Sequence, residues 1–410
     1  MRIREVINEK WSEKYKRSIN CSNPKGFSQK AHCAGRKKTN EAATPKVGRA
    51  LQHAEDLVIV DGSKGALEAI DELASMAKSV DDVTVKWDGS PAVFFGRNEQ
   101  GQFVLTDNSG FTAKGYNGRV TSAGDLETML LSRGKQDPEK EASRREFAGS
   151  MKSLWPRLES MIEPSFRGYI KGDLLYYARP PVDKNGDYTF TPNTVSYHID
   201  TNSSIGQRIT QSTAGIVVHS YTDLEGNSQP LTGPIKGIKE QGPVMIQGPV
   251  TVNHMPTVDD KSIQRVKQFV AKHANDIDSL LDDQRLAAEK LSDLKNILYT
   301  FVNQQVDTGD LTNLNTKFDS WLTSSKVSAP KQAKIQQYRK THANSFAAIF
   351  STLEQIMAVK DDIISQLDAR AEVRSSIAGK QGGEGYVKSG SSIKLVPRLH
   401  FTQANRAKPR

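Results

Sequence analysis

Cysteine is almost missing from this chain: two residues in 410, Cys21 and Cys33, both near its start. That excludes a disulfide framework and makes a reducing compartment, the cytoplasm, the expected setting. Long hydrophobic runs are missing too. Nothing approaches the roughly 18 consecutive apolar residues of a membrane span. No apolar stretch follows the first charges, as a secretory signal requires, so a membrane is not an expected partner. The P-loop, the dinucleotide fingerprint and a Ser-His-Asp order are absent as well. Beyond residue 50 even net charge is lacking, with 43 Lys and Arg against 43 Asp and Glu. All of the +9 resides in residues 1–50, which hold 13 basic and 4 acidic side chains. A basic arm on a neutral body fits a polyanion partner, nucleic acid first among them.

What is present is an ordinary globular composition, 36% apolar and 25% charged, long enough for two domains or one domain with an insertion. Residues 1–50 form the basic leader, in which Ile3, Val6, Ile7, Trp11 and Tyr15 recur at helical spacing over 2–17. Cys21, His32 and Cys33 have no fourth ligand and no paired C-x-x-C spacing, so zinc is not expected there. Residues 51–257 make the first part of a core. A helix is expected over Lys64–Ala77, with Leu67, Ile70, Leu73 and Met76 on one face. A hairpin around Lys86 follows, with Val83 and Val85 before the turn and Val93, Phe94 and Phe95 after it. Strands are expected at Phe103–Asp107, Gly168–Tyr176, Tyr188–Ile199, Gly215–Tyr221 and Pro243–Ile246, and helices at Asp125–Leu131 and Glu139–Ile162. Asp183-Lys-Asn-Gly-Asp187 lacks the last glutamate of a calcium loop and reads as a hairpin turn.

From 258 to 375 the period turns helical, carried by Ile263, Val266, Phe269 and Val270, then Leu291 to Phe301, Phe318 to Leu322, and Phe346 to Met357. Three or four packed helices are expected. Strand character returns in 376–410, at Gly385–Lys388 and Ser392–Phe401. The helical block thus reads as an insertion into a β-rich domain whose closing strands return to the sheet of Lys86.

Five motifs stand in a fixed order. They are Lys86-Trp87-Asp88-Gly89, Gly172-Asp173-Leu174-Leu175-Tyr176 and Ala214-Gly-Ile-Val-Val-His219-Ser-Tyr221, then Glu384-Gly385-Tyr386-Val387-Lys388 and Ser392-Ile393-Lys394-Leu395-Val396. The set resembles the covalent nucleotidyltransferase superfamily of ATP-dependent DNA ligases, RNA ligases and mRNA capping enzymes. The match covers residues 55–225 and 376–400. The fold it implies is α+β: a nucleotidyltransferase (ATP-grasp-like) core of antiparallel sheets with flanking helices, interrupted by an all-α insertion. About ten residues follow the last strand, where DNA ligases and capping enzymes continue into an OB-fold, so the RNA-ligase-like branch is the nearer one. The leader resembles a short basic leader of some tailed-phage proteins, which implies a host cytoplasm and virion or replication proteins as further partners.

The resemblance implies a chemistry. Lys86 attacks the α-phosphate of ATP and forms a lysyl-AMP, which then passes to a 5′-phosphorylated nucleic-acid end. An ammonium cannot attack, so such a lysine sheds its proton with the help of burial, neighbouring cations or a metal. Lys388 and Lys394, returning beside Lys86, would supply positive charge and hold the α-phosphate. Mg²⁺ would rest on Asp173 and Glu384. Asp88 would orient the turn, and Val85, Gly89 and His219 would border the nucleotide. The sequence departs from the family pattern at three places. Asp173 replaces a glutamate, His219 or Tyr221 stands where a phenylalanine stacks on the base, and the last strand carries one lysine instead of two. Two alternatives follow: a phage structural or accessory protein that keeps the fold without sealing anything, or an AMP transferase acting on protein.

Overall fold

The computed structural model describes residues 52–112, 120–133, 141–231, 233–383, 385–388, 391 and 393–399. The leader, its expected helix over 2–17 and Glu384 lie outside the described residues. The fold is mixed α+β, with three sheets whose strands pair mainly antiparallel. The first sheet joins the two ends of the described chain. Its strands run in the order β1 (Gln52–His53), β14 (Ile393–Leu395), β13 (Gly385–Lys388) and β2 (Val83–Lys86). The second runs β10 (Val244–Gln247), β8 (Ala214–Thr222), β5 (Gly168–Tyr176), β3 (Ala92–Arg97) and β4 (Phe103–Asp107), with β9 (Ser228–Pro230) on β8. The third holds β12 (Lys380–Gln381), β11 (Arg374–Ile377), β7 (Ser196–Asp200) and β6 (Asp187–Phe190).

Alternation sorts each strand into two faces. On the first sheet Val83, Val85, Tyr386, Ile393 and Leu395 are buried in one core with Ile70, Leu73 and Met76 of helix Asp56–Lys78. On the second, Val93, Phe95, Leu105, Ile170, Leu174, Ile216 and Val218 pack beneath helices Ala123–Ser132 and Glu141–Glu159. The opposite faces of both sheets are left to border a cleft.

The expected hairpin around Lys86 does not form. β2 pairs with β13, and β3 pairs with β4 and β5. The stretch Trp87–Pro91 instead carries the chain from one sheet to the other. Its polar groups are committed elsewhere: the Asp88 N–H donates to the Tyr197 hydroxyl, and the Ser90 N–H to the Leu174 carbonyl at 2.9 Å. The free edge of β2 is taken by residues 250–252, where Val85 N–H donates to Val250 O at 2.9 Å and Val252 N–H to Val83 O at 2.8 Å. Three other boundaries differ. The strand expected over Tyr188–Ile199 is the hairpin β6–β7, because Pro192 and Asn193 turn the chain between them. The Lys64–Ala77 helix starts at Asp56 and kinks at Asp61–Gly62; there Asp278 accepts from Ser63 N–H and Oγ–H at 2.7 Å, capping the second half. The last strand stops at Leu395 instead of Phe401, and Arg398 turns into the interior. The Asp183 turn is as expected, its carboxylate accepting from the N–H groups of Asn185 and Asp187.

Seven α-helices run from Asp260 to Asp368 among the described residues, where three or four were expected. Extra boundaries come from local caps: Asp259 accepts from Lys261 and Ser262 N–H, and Asp282 from Arg285 N–H. No described helix is long and apolar enough to cross a membrane. The block shares one continuous core with helix Asp56–Lys78 and the first sheet. Its longest helix, Ala343–Asp368, places Lys360 wholly inside that core, where its ammonium donates to both Glu55 carboxylate oxygens at 2.8 Å. Arg398 Nε–H donates to Glu55 Oε1 at 2.7 Å and Nη1–H to Asn303 Oδ1 at 2.9 Å, and Nη2–H bonds Asp56 Oδ1. Two acids and two bases thus compensate one another in a dry site. The Lys360 and Arg398 charges hold the Glu55 carboxyl far below the usual range despite its burial.

Arg398→Met is expected to lower unfolding stability by about 3–5 kcal/mol, since it strips the cation from two buried carboxylates; chemical denaturation checks it. His53 gives a second expectation. Burial foremost, then the Arg398 charge, hold its pKa well below the ordinary 6.5. The unfolded chain therefore takes up that proton first as pH falls. Stability declines from about pH 6.5 downward by up to ~1.4 kcal/mol per unit, and His53→Gln flattens that limb of a melting-temperature profile.

Candidate active site

Lys86 ends β2, and its register partner is Gly385, 299 positions later in the chain. That glycine is needed for space. A Cβ there would lie 2.6 Å from Val396 Cγ2 and 3.0 Å from the Leu395 carbonyl oxygen, so a side chain would clash with the neighbouring segment, while the Lys86 stem passes at contact distance, 3.5 Å away at Cδ. On the far side of β13, Val387 pairs with Lys394 of β14. Gly385 and Val387 are two residues apart, which puts Lys86 and Lys394 on one face of the sheet. Burial first, and then the charge of Lys86, hold the Lys394 pKa below the ordinary lysine value. Lys388 is a correction. It sits at the opposite parity, paired with Val83, and its ammonium donates to Ser75 Oγ on helix Asp56–Lys78. Lys388 borders the cleft, but its ammonium is engaged by Ser75 and not by Lys86's face of the sheet. Val85 likewise presents its side chain to the core behind the sheet.

Asp88 is buried, and its carboxylate accepts from Asn193 Nδ2–H and from Thr194 N–H, both at 3.0 Å. With its own N–H on Tyr197, it fastens the β6–β7 hairpin to the turn after Lys86. Trp87 lies beneath, its ring 4.8 Å from Tyr197, and its indole N–H has no partner among the described residues. Gly89 touches β5 so closely that a Cβ would come 2.5 Å from Asp173 Cβ.

Asp173 and His219 form the facing wall, on β5 and β8. Their side chains meet, Asp173 Oδ2 lying 2.9 Å from His219 Nε2. A carboxylate only accepts, so a hydrogen sits on Nε2, and in the tautomer this bond selects Nδ1 carries the lone pair. Tyr221 is not at the site: its hydroxyl accepts from Lys236 N–H, and its ring packs toward the helices behind the sheet. Between the two walls lies a cleft of about 1610 Å³, bordered by Lys86, Trp87, Asp173, Val217, His219 and Met245 among others. That is roomier than the ~300–1,000 Å³ of most small-molecule pockets. Residues 230–249, rich in Gly and Pro, supply much of its rim. Among the described residues no three His, Cys, Asp or Glu side chains gather as a metal cage. Asp173 offers a carboxylate on the wall facing Lys86, while Asp81, Asp82 and Glu240 also border the cleft; a single carboxylate fits Mg²⁺ only in the arrangement where phosphates and water complete the shell.

Sequence reading missed three participants. Trp87 lies inside the first motif, yet its indole could have been any core aromatic. The Asn193–Thr194 anchor of Asp88 is a contact between distant segments and leaves no local signal. Arg208, on helix Ser204–Gln211, borders the cleft but belongs to no motif.

Fold and site together define a mixed α+β protein with a lysine-bearing cleft between two sheets. The chain belongs to the family of unknown function DUF6267, whose profile matches residues 49–122 and 133–409. No curated protein and no solved structure matches it.

Asp88→Ala is expected to lower stability by about 2–4 kcal/mol, from two lost bonds to a buried carboxylate. Hydrogen exchange then rises in 187–200 before other segments; uniform exchange would contradict the fastening role.

Proposed function

We propose that the protein is an ATP-dependent polynucleotide ligase-like nucleotidyltransferase. One observation carries the reading. The lysine of Lys86-Trp-Asp88-Gly89 opens on a cleft with Gly385 as its strand neighbour and Lys394 on its face, although the motifs lie some 300 residues apart. In this reading the neutral Lys86 amine attacks the α-phosphorus of ATP. A P–N bond forms, the α–β bridging P–O bond breaks, and pyrophosphate leaves with the electron pair. Lys394, on the same face, favours the neutral form of Lys86 by its charge and holds the charge that grows on the phosphate oxygens. His219, its imidazole fixed by Asp173, offers Nδ1 as the proton acceptor on the facing wall. When bound, Mg²⁺ would sit on Asp173 and neutralise phosphate charge. The lysyl-AMP then passes to a 5′-phosphate, and a 3′-hydroxyl displaces AMP to seal the strand. The basic leader supports a nucleic-acid substrate through salt-dependent attraction to its backbone.

A second reading draws on Lys388, which is turned to Ser75 and withholds one expected charge from the site. It is a phage structural or accessory protein that keeps this fold without transfer chemistry.

Incubation with Mg²⁺ and α-labelled ATP is expected to leave acid-labile, alkali-stable label on the chain. Lys86→Ala abolishes the label, and His219→Ala slows its formation by about 10²-fold or more. Absence of label with every nucleoside triphosphate would sink the ligase-like reading in favour of the second. Transfer of the label to protein instead of a 5′-phosphorylated oligonucleotide would identify an AMP transferase.

A further inference from the structure

Arg208 is a cation of the cleft that the motifs leave unexplained. It is half-buried on helix Ser204–Gln211 and borders the same cavity as Lys86. Its hydrogen bonds go to neutral acceptors on β10: Nη1–H donates to Gln247 Oε1 and Nη2–H to the Ile246 carbonyl, each at 2.7 Å. It forms no ion pair among the described residues, whereas Arg133 and Arg398 are each locked to carboxylates. Burial foremost holds its pKa below the ordinary arginine value, with the nearby Glu240 charge pulling the other way.

A guanidinium has five N–H donors in a rigid fork, and two fixed bonds leave the rest for a ligand. Holding such a group half-dry against neutral partners is unfavourable unless an anion completes it. The two bonds to β10 fix its orientation before any ligand arrives, which is the arrangement that keeps binding entropy low.

We propose that Arg208 is a phosphate-binding subsite of the cleft, its free N–H groups holding anionic oxygens of a polyphosphate chain. The inference rests on the nucleotide reading of the cleft for its ligand class, but not on transfer to Lys86. A phosphate of this kind has two sources, the tail of a nucleoside triphosphate or the 5′-phosphate of a strand, and Arg208 serves either by the same bidentate chemistry.

The test is calorimetric binding of inorganic tripolyphosphate, and in a second arm of a 5′-phosphorylated oligonucleotide, to the full chain. Arg208→Gln is expected to weaken at least one arm by about tenfold or more, with Arg208→Lys retaining part of the affinity. The arm that weakens identifies the source of the phosphate. Unchanged affinity in both arms overturns the proposal. Because Arg208→Gln also touches the β10 contact, phenylglyoxal modification of the unaltered protein gives an independent readout. Tripolyphosphate or the oligonucleotide should protect Arg208 in peptide mass spectra, and equal modification with and without both ligands overturns it. Failure of lysyl-AMP formation alongside Arg208-dependent binding removes the ligase-like reading and leaves the subsite standing. Lysyl-AMP formation with an unresponsive Arg208 does the reverse.

Discussion

The Glu55 carboxylate, wholly buried and shared by Lys360 and Arg398, is the constraint on which the rest depends. Glu55 and its two partners come from different parts of the chain: the start of the core, the longest helix of the helical block, and the segment after the last strand. An unpaired charge at that depth would be very unfavourable, so the three parts must arrive together or not at all. Arg398 follows Lys394 by four residues, and fixing it in place also fixes β14 against β13. The geometry at Lys86 is thus held from behind by ions that never face the cleft.

This division of labour extends through the site. Buried charges and the shared apolar core position the first sheet, while Asp88 ties the turn after Lys86 to the β6–β7 hairpin. Gly89 and Gly385 allow close approach to Asp173 and Val396, where a Cβ would intrude. Asp173, His219, Lys86 and Arg208 border the cleft from both sheets and from helix Ser204–Gln211.

Local pattern made much of the fold legible. Helical spacing in Ile70, Leu73 and Met76, or in Phe346, Ile349, Phe350 and Leu353, reports which face is buried, because 3.6-residue periodicity is written into consecutive residues. Strands β4 and β5 were equally plain from their β-branched and aromatic content. What failed was pairing. Val83–Lys86 and Ala92–Arg97 look like the arms of a hairpin, yet Asp88 and Ser90 bind distant groups, and the edge of β2 is completed by residues far along the chain. Parity also misled: Lys388 reads as a neighbour of Lys86 until the register with Val83 shows its opposite face. Glu55 and Arg398 carry side-chain types that composition assigns to the surface, and only three-dimensional pairing brings them inside. Arg208 stayed hidden because a single arginine on an amphipathic helix is the commonest of solvated residues.

The pairing of Lys86 with Gly385 has a temporal side. Synthesis proceeds from the N-terminus, so the lysine leaves the ribosome hundreds of residues before the strand that completes its sheet. Until the segment reaching Arg398 has emerged, β2 keeps an open edge and Glu55 lacks one of its cations. A growing chain therefore lacks the finished sheet around Lys86, and the last residues of the core are the ones that complete it.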